Sequence, residues 1–501
     1  MKMMTSKEQR KQVTYICYGD NDGFERCDDI IELRGSLDED ADEKCQVEFR
    51  CQDPEEDNLY LKLFPESDMA VSFFRGWKTY AWNKPEILKQ GRYGNRYFVL
   101  EKKLGGITLR RYLDEKEKVD DFEFITIIKK VVIQIKKMHG LGFIHADIKP
   151  SNLIIYNNEV YIIDYETVRR PSDGGPVDQV NSFRYTDPLF RNYGFVSDKT
   201  DMYSIGAIIK EVIEKNGHLS DDRSNKILKD IERKCTSNEI GERYESTNDL
   251  IKALYEVQKM MLIEKCALGL RTKDITLHTN STDSEEIDSS SQKMGIKEDI
   301  LYLLCNRNHR KMALTSEGIY TAQTNLFSRI SPKRESVRYS EMMYIKNSGD
   351  YSCNFVLYKR KRDGRGYLTC RHMNCQGMYR EKIRELVFDV VRCREDRYTE
   401  ESLQQYYQAV IEEQMDSIVS IEDGKVKVEI WKSIAYMDEF LKNKTLVAKA
   451  LLALGEYYIN RSKKNEKCGD ADYGRGLDYV KKAAGYGDEN AEQFCLQLKV
   501  K

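Results

Sequence analysis

Apolar residues at Phe122, Phe124, Ile125, Ile128, Val131, Val132, Ile135 and Met138 recur at spacings of three and four, which predicts an amphipathic helix over 122–138. His139-Gly140-Leu141-Gly142 ends it, glycine being suited to a left-handed cap. Phe143-Ile144 leads into a polar loop, and the apolar run Val160-Tyr161-Ile162-Ile163 reads as a strand that delivers Asp164. A second apolar helix opens at Asp201 and runs through Ala207, Ile208, Ile209 and Val212. Nearer the N-terminus, Ile30–Leu37, Cys45–Cys51 and Asn58–Phe64 read as strands. The last alternates Leu59, Leu61 and Leu63 against Tyr60, Lys62 and Phe64.

The pattern changes along the rest of the chain. Asp274–Gln292 is rich in Ser, Thr, Asp and Glu and reads as a linker, in which Ser281, Ser284, Ser289, Ser290 and Ser291 are candidate phosphate acceptors. Asp299–Leu304, Lys311–Thr315, Gly318–Ala322, Asn354–Tyr358 and Gly366–Arg371 are predicted strands, closed by a helix over Tyr379–Val391. A helical region opens near Thr399, with Leu403, Tyr406, Tyr407, Val410, Ile411 and Met415 on one stripe. Two small-residue helices follow, Ala448–Tyr458 and Tyr473–Ala484.

With 501 residues the chain is long enough for two to four domains. Basic and acidic residues nearly cancel, 81 against 83, so bulk charge points to neither nucleic acid nor a membrane surface. No apolar run reaches the ~18 residues of a membrane span, and the first residues carry no signal-peptide core. Thirteen scattered cysteines suit reduced thiols in a cytoplasmic protein. Cys370, His372 and Cys375 lack a second ligand pair, so strand-end cysteines are the better reading than a metal site. The basic run Lys359–Arg365 reads as a solvated hairpin tip around Asp363-Gly364. Abundant Lys, Tyr and Ile beside only eight prolines point to a low-GC bacterial source.

The densest chemistry lies in His145-Ala146-Asp147-Ile148-Lys149-Pro150-Ser151-Asn152, followed by the strand-borne Asp164. An acid, a lysine two residues on, an asparagine three further and a second acid form a set suited to phosphoryl transfer. This stretch resembles the catalytic loop of eukaryotic-type (Hanks-type) Ser/Thr protein kinases. The resemblance implies an α+β, bilobal protein-kinase-like fold that uses ATP and Mg2+ and acts on a protein substrate. In it Asp147 orients the substrate hydroxyl and takes its proton, while Lys149 steadies the moving phosphate. Asn152 and Asp164 hold magnesium, Lys62 grips the nucleotide, and the backbone from Glu101 to Lys103 meets adenine. His145, Asp201 and Arg243 are supports: Asp201 matches the acid that braces the loop, and Arg243 matches a late arginine that pairs with an acid closing the activation segment. Read singly, Asp201 is a helix cap and Arg243 a surface charge. Ser182 stands where the family usually has a peptide-positioning Thr.

Several positions depart from the family. The turn expected to be glycine-rich is the acidic run Asp38–Glu43, and Gly19–Gly23 lies too early to replace it. Tyr60 stands where alanine is usual, and neither Glu66 nor Glu86 is a convincing partner for Lys62. Asp164-Tyr165-Glu166 replaces Asp-Phe-Gly, and Ala146 replaces an arginine that reads activation-loop phosphate. Leu189 replaces the segment-closing Glu, which leaves Arg243 without its usual partner.

These features predict an N-terminal extension over 1–27, a kinase-like domain over 28–262, a linker over 263–296, a β-rich domain over 297–396 and a helical region over 397–501. The β-rich part resembles small bacterial PH-like domains. The α-helical tail resembles a Sel1-type repeat, in which alanines let helices approach and glycines end them, and it is a candidate docking surface for a protein partner. The alternative to catalysis is a pseudokinase, a binding module that signals by conformation; phosphorylation of a small molecule is a third possibility.

Overall fold

The computed structural model describes residues 2–8, 11–17, 30–34, 45–49, 59–65, 68–93, 96–173, 183–217, 222–272, 274–279, 282–306, 310–323, 333–348, 352–360, 366–374, 379–463 and 469–499. The acidic turn Asp38–Glu43, the Gly19–Gly23 turn, Glu66, Ser182, Ser281, Cys375 and the tip of the basic run lie outside the described residues. The chain divides into two units, Met1–Gln258 and Lys259–Lys501.

In the first unit, β1 (Lys2–Glu8), β2 (Lys11–Cys17) and β3 (Ile30–Arg34) form an antiparallel sheet. A four-stranded antiparallel sheet follows, built from β4 (Cys45–Phe49), β5 (Leu59–Pro65), β6 (Ile87–Tyr93) and β7 (Arg96–Lys102) in the order β4-β5-β7-β6. The alternation seen in the sequence puts Lys62 opposite Val99 and Tyr60 opposite Glu101, so these four residues share one face.

Between β5 and β6 lies the seven-residue helix α1 (Met69–Arg75), whose N-terminus Asp68 caps by accepting the Ala70 N–H. Its Phe73 and Phe74 are buried with Phe64, Trp77, Trp82 and Tyr165, and ring centroids there lie 5–6 Å apart. Asn83 ties this loop to the helical part of the unit. Its backbone N–H bonds Gln134 Oε1 at 3.0 Å, and its amide donates to Val160 O at 3.2 Å.

The helical part comprises β8 (Ile107–Thr108), α2 (Leu109–Glu115), α3 (Asp121–His139), β9 (Leu153–Tyr156) and β10 (Glu159–Ile162), then α4 (Pro188–Tyr193), α5 (Asp198–Asn216), α6 (Asp222–Cys235) and the start of α7 (Thr247–Gly269), which runs across the division after Gln258. The helix expected over 122–138 is α3. Its apolar stripe (Phe124, Ile128, Val131, Ile135) is fully buried. Gly206 lets α5 approach α6, since a Cβ there would sit 2.5 Å from Cys235 Cβ.

The second unit corrects two expectations. The Ser-rich stretch is folded rather than a linker: it forms β11 (Ile275–His278) and α8 (Ser284–Met294). Ile287 and Met294 of α8 pack on Ile300, Leu303, Ala313 and Ala322. Ser290 is fully buried against Lys311 Nζ at 2.9 Å, which rules it out as an accessible phosphate acceptor in this fold, whereas Ser284 is exposed. Composition misled here because small polar residues fill the close-packed side of a short helix as well as they fill a loop.

β12 (Ile300–Asn306), β13 (Arg310–Thr315), β14 (Gly318–Gln323) and β15 (Lys333–Arg338) extend a five-stranded meander from β11, and β16 (Met342–Ser348), β17 (Ser352–Arg360) and β18 (Gly366–Asn374) form a second sheet. The expected closing helix is α9 (Arg380–Arg394). Five further helices follow: α10 (Glu400–Ser417), α11 (Gly424–Tyr436), α12 (Thr445–Ser462), α13 (Gly469–Gly485) and α14 (Glu489–Lys499).

The second correction concerns the boundary expected at 396/397, which is not a break. Gln414 of α10 completes the edge of β18, accepting the Leu368 N–H and donating to Gly366 O, both at 3.0 Å. Asp438, almost fully buried, bonds Lys346 of β16 at 2.6 Å and also Lys482 of α13. In the α12–α13 pair the glycines act differently from expectation. Gly455 and Gly476 sit where the two helices cross, not at their ends, and a Cβ on Gly476 would lie 2.8 Å from Gly455 O. Gly487, at φ +83°, does follow the end of α13.

Candidate active site

The loop between α3 and β9 is held from behind by Asp201. Its Oδ2 accepts the His145 N–H at 3.0 Å and its Oδ1 the Ala146 N–H at 2.8 Å. His139 Nε2 donates a third bond to Oδ2 at 2.8 Å. Burial raises the Asp201 carboxyl, but the His139 bond, the nearby histidines and the backbone N–H groups outweigh it, so its pKa falls below the ordinary value. Two backbone donors fixed by one fully buried carboxylate set the path of the loop, including the left-handed Ala146 at φ 63°. Ala146, where the family carries arginine, packs in an apolar cluster with Ile144, Phe190 and Val196.

His145 is wholly buried. Its Nδ1 accepts the Asp147 N–H at 3.3 Å, so Nε2 carries the proton and donates to Ile163 O at 3.2 Å. That is a neutral imidazole with both nitrogens paired. Burial lowers its pKa, and the carboxylates of Asp201, Asp147 and Asp164 only partly restore it. The ring therefore joins the loop to the strand end that presents Asp164.

Asp147, Lys149 and Asn152 form one knot. Lys149 Nζ lies 2.6 Å from Asp147 Oδ2, and Asn152 Nδ2 donates to the same oxygen at 2.9 Å and to Asp147 O at 2.9 Å. Both donors converge on Oδ2, so Oδ1 lies outside the knot. The Ile163 N–H bonds Asn152 O at 3.0 Å, which brings Asp164 alongside. Asp164 is left-handed at φ 65°, ψ 69°.

Tyr165 then turns into the aromatic cluster. Its ring stacks on Phe73 at 5.2 Å, its hydroxyl donates to Ile162 O at 2.8 Å, and it accepts Trp82 Nε1–H at 3.0 Å. The ring thus packs against α1, and the hydroxyl is paired on both sides. Burial pushes this hydroxyl's pKa well up.

Lys62 reaches the same place from β5. Its Nζ is 3.5 Å from Asp164 Oδ1, 3.7 Å from Glu101 Oε2 and 3.9 Å from Glu166 Oε1. Burial pulls its pKa down, but Glu101, then Asp164 and Glu166, more than offset that. Glu101 acts most strongly although Asp164 is nearer, because its carboxylate is buried while that of Asp164 is a third exposed and screened by water. This corrects one expectation: among the described residues Lys62 does have acid partners, Asp164, Glu101 and Glu166. Glu101 lies within the sheet, opposite Tyr60 on β5 and Ile87 on β6, and its side chain is turned to Lys62.

Arg243 also has a partner, contrary to expectation. It forms a two-pronged pair with Asp187 at 2.6 and 2.9 Å, both side chains fully buried. Asp187 simultaneously caps α4 by accepting the Leu189 N–H at 3.0 Å. Asp187-Pro188 marks a cap followed by the proline favoured in the first helical turn, a pattern that places a helix start but does not link the acid to Arg243. The acid simply lies two residues before Leu189.

The donor set suits a hard divalent cation. Asn152 and Asp164 offer an amide and a carboxylate oxygen, and magnesium characteristically takes one or two such groups and completes its shell with water and phosphate. Among the described residues no cluster of three or more His, Cys, Asp or Glu groups stands ready to hold a metal by itself. His372 bonds Asn354 Oδ1 at 3.0 Å across the β17–β18 ladder, in keeping with a structural role. Among the described residues no helix is long and apolar enough to cross a membrane.

Residues 79–279 match the model of the protein kinase domain. Among curated proteins, the chain is 26% identical over 179 residues to death-associated protein kinase dapk-1 of Caenorhabditis elegans, a match covering 34% of this chain and 12% of that protein. It is 32% identical over 115 residues to myosin light chain kinase family member 4 of Homo sapiens, covering 22% of this chain and 29% of the relative. It is 26% identical over 141 residues to smooth muscle myosin light chain kinase of Gallus gallus, covering 27% of this chain and 7% of the relative. The chain thus spans less than a third of the length of each of these relatives. The stretch that matches takes in the Asp147 loop and the helices around it, and it begins beyond Lys62.

Proposed function

We propose that this protein transfers the γ-phosphoryl group of ATP to a serine or threonine hydroxyl of a protein. The observation that carries the reading is the knot of Asp147, Lys149 and Asn152, clamped from behind by Asp201 and tied through Ile163 to Asp164. Asp147 Oδ1 accepts the hydroxyl hydrogen as the oxygen attacks the γ-phosphorus. Lys149, already beside Asp147, neutralises charge on the moving phosphoryl oxygens. Asn152 and Asp164 would hold Mg2+, which, when bound, offsets the phosphate charge. Lys62 contacts the nucleotide phosphates from β5. Lysine two residues after the acid favours a Ser/Thr acceptor over tyrosine.

One observation favours a second reading, a kinase-shaped binding module. Three carboxylates surround the single ammonium of Lys62, an excess of negative charge that opposes a bare triphosphate. In the catalytic reading this makes nucleotide binding depend steeply on the divalent cation. Incubation with labelled ATP, Mg2+ and a generic protein acceptor is therefore expected to yield phosphoserine or phosphothreonine, and chelation to abolish both label and ATP-induced thermal stabilisation. Absence of label together with absence of stabilisation would leave the module reading.

A further inference from the structure

We propose that Glu101, carried by a sheet strand, is the carboxylate that positions Lys62, in the role a helix-borne acid would otherwise fill. The inference rests on the kinase reading for its functional meaning, but its geometry stands alone.

The helix next to Lys62 has no acid to offer. α1 reads Met-Ala-Val-Ser-Phe-Phe-Arg, and the following turn, Trp77–Thr79, contains none either. Its inward positions are taken by Phe73, Phe74 and Trp77, all buried in the aromatic cluster. A kinase lysine nevertheless needs a fixed counter-charge to hold its ammonium at the phosphates.

Glu101 meets that need. It is only 3% exposed, as is Lys62, and its Oε2 stands 3.7 Å from Nζ. A carboxylate this buried is unfavourable without a cation beside it, and Lys62 is the cation paired with it. Burial pushes the Glu101 carboxyl up, and Lys62 is the group that pulls it back. Asp164 and Glu166 are poorer candidates for the fixed partner. Both are partly exposed, and both lie on the segment that would face metal and phosphate.

The consequence concerns control. A helix-borne acid makes the ion pair conditional on where the helix sits. Here the separation is set by the β5–β7 ladder, in which Tyr60 faces Glu101 and Lys62 faces Val99. The pair is therefore built into the sheet and forms whenever the sheet does. The replacement of a phosphate-reading arginine by the buried Ala146 agrees with a site assembled without a helix swing.

The test is a double-mutant cycle in the full chain with ATP and Mg2+, comparing Glu101→Gln, Lys62→Met and both together, with Glu101→Asp as the conservative variant and the exposed Glu86→Gln as control. Glu101→Gln is expected to raise the KM for ATP by about ten-fold or more, with Glu101→Asp recovering part of the loss and Glu86→Gln staying within about two-fold of wild type. Adding Glu101→Gln to Lys62→Met is expected to change nothing further, because the partner is already gone. A Glu101→Gln enzyme with wild-type KM, or effects that multiply in the double variant, would overturn the proposal. Should wild type itself neither transfer phosphate nor bind ATP, the kinase reading fails, and the same cycle read by denaturant unfolding decides the pair: non-additive midpoints uphold it and additive ones refute it.

Discussion

At the scale of single residues, the most consequential features are two buried groups, an ion pair and an imidazole, whose surroundings fix their charge. Arg243 and Asp187 have no exposed surface and bond each other twice. Removing one partner strands the other charge, so Arg243→Ala is expected to cost ~3–5 kcal/mol in urea unfolding of the full chain; a loss under ~1 kcal/mol would mean the pair contributes little. His145 gives a pH signature. Its native pKa is lowered from 6.5 by burial, so the unfolded chain takes up a proton that the native state refuses. The stabilisation is full above pH 6.5 and is lost as pH falls from there toward the native pKa. Thermal midpoints measured between about pH 7.5 and 5.5 should decline for wild type, and His145→Asn should flatten that slope. An identical slope in the variant would assign the dependence elsewhere. The grouping of Asp147, Lys149 and Asn152 was legible in the sequence because they lie within one eight-residue stretch, where spacing constrains geometry. The partners of Lys62 and Arg243 were not, because Glu101 and Asp187 meet them only through strand register and helix capping between distant segments.

Elements tell a similar story. Of the helices with a clean apolar stripe, α3 matches the predicted 122–138 almost to its ends, α5 begins three residues before the predicted Asp201, and α10 opens where the stripe near Thr399 places it; the strand alternation puts Lys62 and Tyr60 on one face. Elements with mixed composition were hidden. β15 is rich in charge, and α8 has only Ile287 and Met294 as apolar anchors, beside the bonds of Glu286 and Ser290 to Lys311. In the α12–α13 pair the sequence signalled close approach but credited alanine, whereas the contact rests on Gly455 and Gly476. A methyl group on Gly476 would meet Ile459 Cγ1 at 2.6 Å and the Gly455 carbonyl at 2.8 Å, and the carbonyl belongs to a helix backbone that has little room to yield. Gly476→Ala is thus expected to destabilise the second unit by ~1–3 kcal/mol despite alanine's better helix propensity. A gain in stability measured by calorimetry would show that the helices can part at no cost.

For the molecule as a whole, the first unit brings Lys62, Asp147, Lys149, Asn152 and Asp164 together from one sheet strand, one loop and one strand end. The second unit joins the β-rich and helical parts, predicted as separate domains, through Gln414 and Asp438. The division into units falls after Gln258, inside α7. The central claim is that the first unit performs phosphoryl transfer through Asp147. Asp147→Asn keeps the size of the side chain and removes the acceptor of the hydroxyl proton. Wild type and variant, matched for thermal midpoint, are to be compared for transfer of label from γ-labelled ATP with Mg2+ to protein. Incorporation by wild type and a loss of at least ~100-fold in the variant are expected; equal incorporation by both proteins would contradict phosphoryl transfer through Asp147.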